Sequence, residues 1–336
     1  MLILMAAFAP LLLTQEPIDQ QYDEELNGAR LHFHVRGKDP TNPYAIFLHG
    51  GPGYSSMPFM ATTGAELEAD LNIVYLDQRG CGLSDRLGLG DIKNCTVENM
   101  VRDIEAVRER LGIQKWGVLG HAWGGMLAVE YIARHPERVS FFIGMNCLIS
   151  VPTMTEDIIA NSEARFKQWK AGGTESQKSV ARDMLKAIDQ LKGMKQTDPR
   201  RLAAAYSMAL NEAGLYFHDA KSPTVETELK KLQSVIQKYG LDPDRLQLAA
   251  EPSRALVIND DFTEKDVGGL LPKVTVPTLL IGGRSDGVIT VRHLEIARRG
   301  IKGAHLVILE DCGDFPFYEK PTQLLAEILR FLPKAE

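Results

Sequence analysis

The stretch Gly120-His121-Ala122-Trp123-Gly124-Gly125 decides the fold. It follows a short apolar run at residues 116–119 and precedes the apolar periodicity of 126–133, so it joins a strand to a helix. Glycines at 120 and 124 around a central residue have the spacing G-x-S-x-G, a sharp turn that lifts its middle side chain above the carboxyl end of a sheet. That middle residue normally attacks. Here it is alanine, which has no oxygen, so the reading of the chain depends on what surrounds the turn.

Working outward, residues 30–35 alternate in the manner of a half-buried strand, and 44–48 form an apolar run that ends in His49-Gly50-Gly51-Pro52-Gly53. Residues 64–71 suggest a short helix, and 72–76 another apolar strand, closed by Asp77-Gln78-Arg79-Gly80-Cys81-Gly82. Val97, Met100, Val101, Ile104, Val107 and Leu111 recur at helical spacing behind Thr96, an N-cap residue. A further buried strand is expected over 139–145. From 151 to 258 the texture changes to Lys, Glu, Gln, Ala and Leu, broken by Gly172-Gly173, Pro199 and Pro223, which reads as a helical insertion. Strand patterns resume at 278–281 and 305–309, and a helix bearing Leu324, Leu325, Ile328 and Leu329 closes the chain.

Strands alternating with helices on both sides of an insertion imply an α/β fold: a mostly parallel central sheet with helices on both faces and a helical cap over the carboxyl ends of its strands. Reactive loops gather at that end. The expected division is an apolar leader or N-terminal arm over 1–20, a core built from 21–150 and 259–336, and a cap over 151–258.

The 336 residues are 44 % hydrophobic and 24 % charged, which suits one large core with an insertion. A formal net charge of -6 supplies no basic field for nucleic acid or an anionic membrane, and the expected partner is a small molecule or short peptide. Cys81, Cys95, Cys147 and Cys312 lack C-x-x-C spacing, so they read as buried free thiols, with no metal site expected. The glycine loops lack phosphate-binding spacing, and no nucleotide or other cofactor is implied. Residues 1–13 carry no charge and are mostly apolar, a length suited to a signal-peptide core and short for a membrane span. Export to an extracytoplasmic or periplasmic compartment is favoured slightly over a cytoplasmic location, although a basic start and an A-x-A-like site before Gln15 are missing. Stable membrane insertion is not expected, and the oligomeric state is not legible.

Acyl transfer needs a nucleophile, a base, an acid to orient that base, and donors for the oxyanion. The 49–53 loop offers backbone N–H groups free of side-chain obstruction, which assigns the donors to Gly51, with Gly50 beside it, and to Trp123 directly after the elbow. Asp286, in Gly282-Gly283-Arg284-Ser285-Asp286 after the 278–281 strand, is placed to orient a base; the plain alternative is a helix cap.

Together, His49 to Gly53, Asp77 to Ser84, Gly120 to Gly125 and Gly283 to Asp286 resemble the α/β-hydrolases of the proline iminopeptidase type, serine aminopeptidases that remove N-terminal proline. The resemblance covers roughly residues 28–148 and 270–334, and the insertion matches only in position. It implies hydrolysis of an N-terminal aminoacyl or prolyl amide, or of a small ester, through an acyl-enzyme and without a cofactor. It also implies a catalytic histidine after the last strand, where this chain reads Asp311-Cys312-Gly313-Asp314-Phe315-Pro316. Asp314 stands in the histidine's place. Ala122 and Asp314 therefore depart from the pattern, while Asp286 and both oxyanion loops keep it. The family binds a free ammonium with acidic cap residues; Glu156, Asp157, Glu163, Glu212 and Asp219 are candidates here, and spacing selects none of them.

None of the eight histidines repairs the loss. His121 is expected to point away from substrate, His49 belongs to the oxyanion loop, His305 begins a strand, and His32, His34, His135, His218 and His293 read as solvated residues on surface or helical stretches. Ser285 and Cys312 lie nearby but off the elbow, which makes a relocated nucleophile the outlying alternative. If Asp286 and Asp314 lie about 4 Å apart, they repel by roughly 4 kcal/mol at an effective dielectric of 20, and the pair retains one proton at neutral pH. The expected reading is a serine-hydrolase scaffold that has lost its nucleophile and base. Two alternatives stay open: a non-catalytic ligand-binding protein, and a lyase or isomerase that uses Asp314 as general base.

Overall fold

A computed structural model describes residues 16–332 apart from 89, 212, 260 and 261; the apolar leader and Glu212 therefore lie outside the described residues. Eight strands form one sheet in the order β1-β2-β4-β3-β5-β6-β7-β8. They are β1 (Ile18–Leu26), β2 (Ala29–Gly37), β3 (Tyr44–Leu48), β4 (Asn72–Asp77), β5 (Trp116–His121), β6 (Val139–Met145), β7 (Thr278–Gly283) and β8 (His305–Leu309). The β1–β2 and β2–β4 pairings are antiparallel and all the others parallel, so the sheet is mixed and mostly parallel, with helices on both faces.

Alternation along each strand divides the core. Ile46 and Leu48 of β3 and Val118 of β5 face one apolar layer, which includes α3 (Val97–Arg110), α4 (Trp123–Arg134) and α11 (Val291–Gly300). Ala45, Phe47 and Leu119 face the other, with α1 (Met57–Ala61), α2 (Thr63–Leu67) and α13 (Pro321–Phe331). A period of two with both faces covered explains why these strands read as continuous apolar runs. The N-cap at Thr96 forms as the sequence indicates, its Oγ1 accepting from the Asn99 N–H at 3.1 Å.

The insertion over 151–259 is helical. It contains α5 (Val151–Gly172), α6 (Glu175–Gly193), α7 (Pro199–Asn211), α8 (Ala213–Tyr216), α9 (Pro223–Tyr239) and α10 (Glu251–Asn259). A capping box of Thr174 and Gln177 starts α6, and Gly240 in the left-handed region ends α9. The remaining helix, α12 (Pro316–Glu319), lies in the loop after β8.

Three features differ from the pattern reading. β1 is a strand that the pattern does not indicate: it begins at Ile18, inside the span read as leader or arm, and is an edge strand held by its pairing with β2. The helix expected at 64–71 is the shorter α2, which ends at Leu67, and α1 precedes it where no helix is expected. His32, His34 and His293 are buried rather than solvated. His32 and His34 face Asp23 and Asp19 of β1 across the sheet edge, at 3.1 Å and 2.5 Å, while Nδ1 of His293 accepts from the Ile149 N–H.

Arg79, at the end of β4, joins this edge to the helical layer. Its guanidinium pairs with both carboxylate oxygens of Asp103 on α3, at 2.6 and 3.0 Å, and donates to the Asn27 carbonyl in the β1–β2 turn. Both side chains are buried, and burial pushes the Asp103 carboxyl up despite the arginine beside it. Arg79→Ala leaves that carboxylate without its counter-ion, and urea denaturation is expected to show a loss of about 3–5 kcal/mol. A loss below about 1 kcal/mol would show that the pair does not hold the edge.

Candidate active site

β5 runs straight into the elbow. Ala122 has φ 51° and ψ -117°, a left-handed conformation that a residue with a Cβ adopts only when its surroundings force it. Those surroundings are on either side of the turn. A Cβ on Gly124 would lie 2.0 Å from the Leu48 carbonyl oxygen, so only glycine lets α4 begin this close to β3. The Ala122 carbonyl accepts from the Gly125 and Leu148 N–H groups, and its own N–H donates to Met145. The turn is thus tied to β6 as well.

The loop after β3 meets this turn. A Cβ on Gly50 would come within 3.2 Å of the Ala122 Cβ, which places Gly50 against the side chain at 122. His49 is buried, and its Nε2 accepts from the Gln78 N–H at 3.0 Å; its Nδ1 therefore carries the proton and donates to the Gly50 carbonyl at 2.9 Å. Burial lowers its pKa and favours this neutral form. Because N–H and C=O of one peptide point in opposite directions, tying down the Gly50 oxygen also fixes the direction of the Gly51 N–H. Trp123 occupies the first position of α4, where its N–H has no intrahelical acceptor.

Gln78 connects the two loops. Its side-chain amide donates to the His49 carbonyl at 2.8 Å and accepts from the Trp123 indole N–H at 2.9 Å. In the sequence Gln78 is legible only as part of a motif, since nothing local reveals a contact across 45 residues.

Asp286 and Asp314 both lie at the carboxyl end of the sheet, buried at 4 % exposure each. Asp286 Oδ1 accepts from the Val288 and Ile289 N–H groups, and Oδ2 accepts from the Asn146 amide at 2.8 Å. Asp286 thus caps the turn after it while also facing the site. Burial first, and then the neighbouring Asp314, push its carboxyl well above the usual carboxylate range. The Asp314 N–H donates to Tyr216 of the cap, and its Oδ1 has no hydrogen-bond partner among the described residues.

His121 does not simply point away. Its Nε2 donates to the Asp314 carbonyl at 2.7 Å and lies 3.5 Å from the Asp314 carboxylate. It lines a cavity of about 420 Å³ walled by Tyr54, Tyr216, Phe315, Phe317 and Tyr318. Burial, with Asp314 adding to it, raises the Tyr54 phenol to about 12. Glu319 fastens this wall to the cap: it accepts from the His218 and Asp219 N–H groups and from the Gly313 N–H. Neither Asn146 nor Glu319 is singled out by sequence, because each acts mainly through partners distant in the chain.

The described cap acids are occupied elsewhere. Asp157 accepts from Thr290 and Arg292, Glu156 from Gln196, Glu163 pairs with Lys167 and Lys192, and Asp219 accepts from the Lys221 N–H. None of these four lines the aromatic cavity. All four cysteines are free and buried, and burial pushes the Cys312 thiol well up, which argues against a thiolate there. No group of three or more His, Cys, Asp or Glu among the described residues could hold a metal ion. No helix among them is long and apolar enough to cross a membrane.

The profile of the alpha/beta hydrolase fold matches residues 46–321. The chain belongs to this family. Among its α/β-hydrolase relatives, a proline iminopeptidase of Saccharolobus solfataricus is 24 % identical over 306 residues, covering 91 % of this chain and 89 % of that protein. A proline iminopeptidase of Neisseria gonorrhoeae is 39 % identical over 117 residues, 35 % of this chain and 36 % of that one. The crystal structure of a proline iminopeptidase-related protein from Thermus thermophilus superposes with a TM-score of 0.67 at 20 % identity, over 94 % of this chain and 97 % of that one.

The two carboxyls give a pH signature. Native Asp286 binds its proton more tightly than the unfolded chain does, so its contribution to stability is complete below the ordinary aspartate pKa and is lost as pH rises through the native titration. Asp314→Asn removes the neighbouring charge. The unfolding free energy of the unaltered chain, relative to this variant, is expected to fall as pH rises above the ordinary aspartate pKa, by about 1.4 kcal/mol for each pK unit that Asp314 contributes. A difference that stays constant with pH would show that the two carboxyls do not interact.

Proposed function

We propose that this α/β-hydrolase-fold chain descends from serine aminopeptidases of the proline iminopeptidase type and that its elbow no longer carries out acyl transfer. The observation that carries this reading is the left-handed turn at 122, kept with its flanking glycines while the side chain has no oxygen. In this reading Ala122 holds the nucleophile position, Asp314 that of the base, and Asp286 is the acid. Gly51, with Gly50 beside it, and Trp123 supply the oxyanion donors. The parent reaction is hydrolysis of an N-terminal aminoacyl or prolyl amide, or a small ester, through an acyl-enzyme. Without its nucleophile and base, such a site retains about 10³- to 10⁴-fold catalysis over water from binding and the oxyanion hole. What remains is the aromatic cavity beside the elbow, lined by Gly50 and His121 and by cap residues, suited to holding a small molecule or short peptide.

A second reading has a specific observation behind it. The Oδ1 of Asp314 is buried without a hydrogen-bond partner among the described residues, and such a carboxylate beside two sets of backbone donors could abstract a proton in a lyase or isomerase reaction.

Reversion separates the two. Ala122→Ser combined with Asp314→His is expected to raise hydrolysis of prolyl 4-nitroanilide and of a neutral 4-nitrophenyl ester at least 100-fold over the unaltered chain, while Ala122→Ser alone gains less than tenfold. A folded double variant that gains nothing on either substrate would overturn the first reading. Better turnover of prolyl than of alanyl or leucyl anilides would assign the parent specificity.

A further inference from the structure

A second constellation lies outside the elbow. Ser285, in the loop after β7, places its Oγ 3.0 Å from Nδ1 of His218 on the cap. The other ring nitrogen of His218, Nε2, lies 3.7 Å from the carboxylate of Asp311. Hydroxyl, imidazole and carboxylate therefore stand in a row. The distance between hydroxyl and base is within hydrogen-bond reach, the first geometric requirement for activating a nucleophile. The base is held at its backbone, where the His218 N–H donates to Glu319 at 2.8 Å. The nucleophile is held too, its N–H donating to the Cys312 carbonyl at 2.8 Å. Asp311 has φ 51°, a left-handed conformation in the turn that presents its carboxylate.

Of the three, Ser285 lines a cavity of about 510 Å³ between α5 and the start of α11, together with Asn161, Gln168 and three arginines, Arg165, Arg284 and Arg292. Arg284 pairs with Glu310, and Arg292 with Asp157. Arg165 has no hydrogen-bond or ion-pair partner among the described residues. Asp286 also borders the cavity, but burial and Asp314 hold its carboxyl towards the neutral form, so it sets less negative charge against an oxyanion.

We propose that Ser285, His218 and Asp311 form a second, solvent-open esterase site that takes small esters whose acyl group carries an anionic carboxylate. The Ser285 oxygen attacks the ester carbonyl carbon, forming a C–O bond as its proton passes to Nδ1 of His218. The tetrahedral intermediate expels the alcohol, which takes that proton from His218 as the acyl C–O bond breaks. Water, deprotonated by the same nitrogen, then releases the carboxylic acid and restores the serine hydroxyl. Asp311 faces the opposite edge of the ring and favours the tautomer with Nε2 protonated, leaving Nδ1 free to accept. The unpaired guanidinium of Arg165 complements the anionic end of the substrate.

The site is tested on the unaltered chain with two probes, an alkyl fluorophosphonate and mono-4-nitrophenyl succinate. The fluorophosphonate should lose fluoride to the Ser285 oxygen, leaving a phosphonyl adduct on the tryptic peptide spanning residues 285–292, with fragment ions placing it at Ser285 rather than Thr290. Labelling should slow at least tenfold in His218→Gln. Succinate-ester turnover should exceed that of 4-nitrophenyl butyrate at least tenfold, and Ser285→Ala should remove it. Asp311→Asn should lower kcat three- to tenfold and shift the acidic limb of its pH profile. No adduct at Ser285, equal labelling in folded His218→Gln, or equal rates for the two esters would each overturn the proposal. Ala122 and Asp314 are untouched in all these variants, so failure here is read separately from failure of the reversion at the elbow.

Discussion

The rest of the site depends on the left-handed turn at Ala122. Strand β5 must stop, reverse direction and start α4 within one residue, and the helix then lies so close to β3 that Gly124 has no room for a side chain. Once that crossing is made, the N–H of Trp123 is left without an intrahelical partner at the carboxyl end of the sheet. The loop from β3 comes up against the same turn through Gly50. A backbone N–H at the carboxyl end of the sheet is thus a consequence of the chain crossing, whatever side chain stands at 122.

Around this turn polar side chains hold the loops in place, although Asn146 Oδ1 is itself buried without a hydrogen-bond partner among the described residues. His49 and Gln78 bind the loop after β3 and the elbow to each other and to the end of β4. Asn146 and two N–H groups hold Asp286. Asp314 Oδ1, by contrast, is buried with no hydrogen-bond partner among the described residues, an uncommon and costly condition. A histidine at 314 would remove one of the two neighbouring carboxyls; on the function proposed above, Ala122 and Asp314 are a joint departure from one catalytic design.

Much of this was legible in the sequence because the informative residues act locally. Glycines at a tight crossing, apolar runs closed by loops, and a Thr96 cap declare themselves within a few positions, and the bounds of β3, β6 and β8 coincide with their apolar runs. What the sequence does not display works over distance. β1 shows no strand pattern of its own and is held by pairing with β2. His32 and His34 look like surface residues until β1 covers them. Gln78, Asn146 and Glu319 gain meaning from partners between 29 and 167 residues away. The Ser285–His218 contact joins a core loop to the cap, where spacing along the chain carries no information.

The turn at 122 is held in a strained conformation by its neighbours. Denaturant unfolding of Ala122→Gly tests it most directly. Relief of a left-handed non-glycine residue is worth about 1–3 kcal/mol, against about 0.4–1 kcal/mol of added freedom in the unfolded chain. The variant is therefore expected to be more stable by about 1 kcal/mol. A loss of about 1 kcal/mol or more would contradict the account, because it would mean that Ala122 fits its turn without strain.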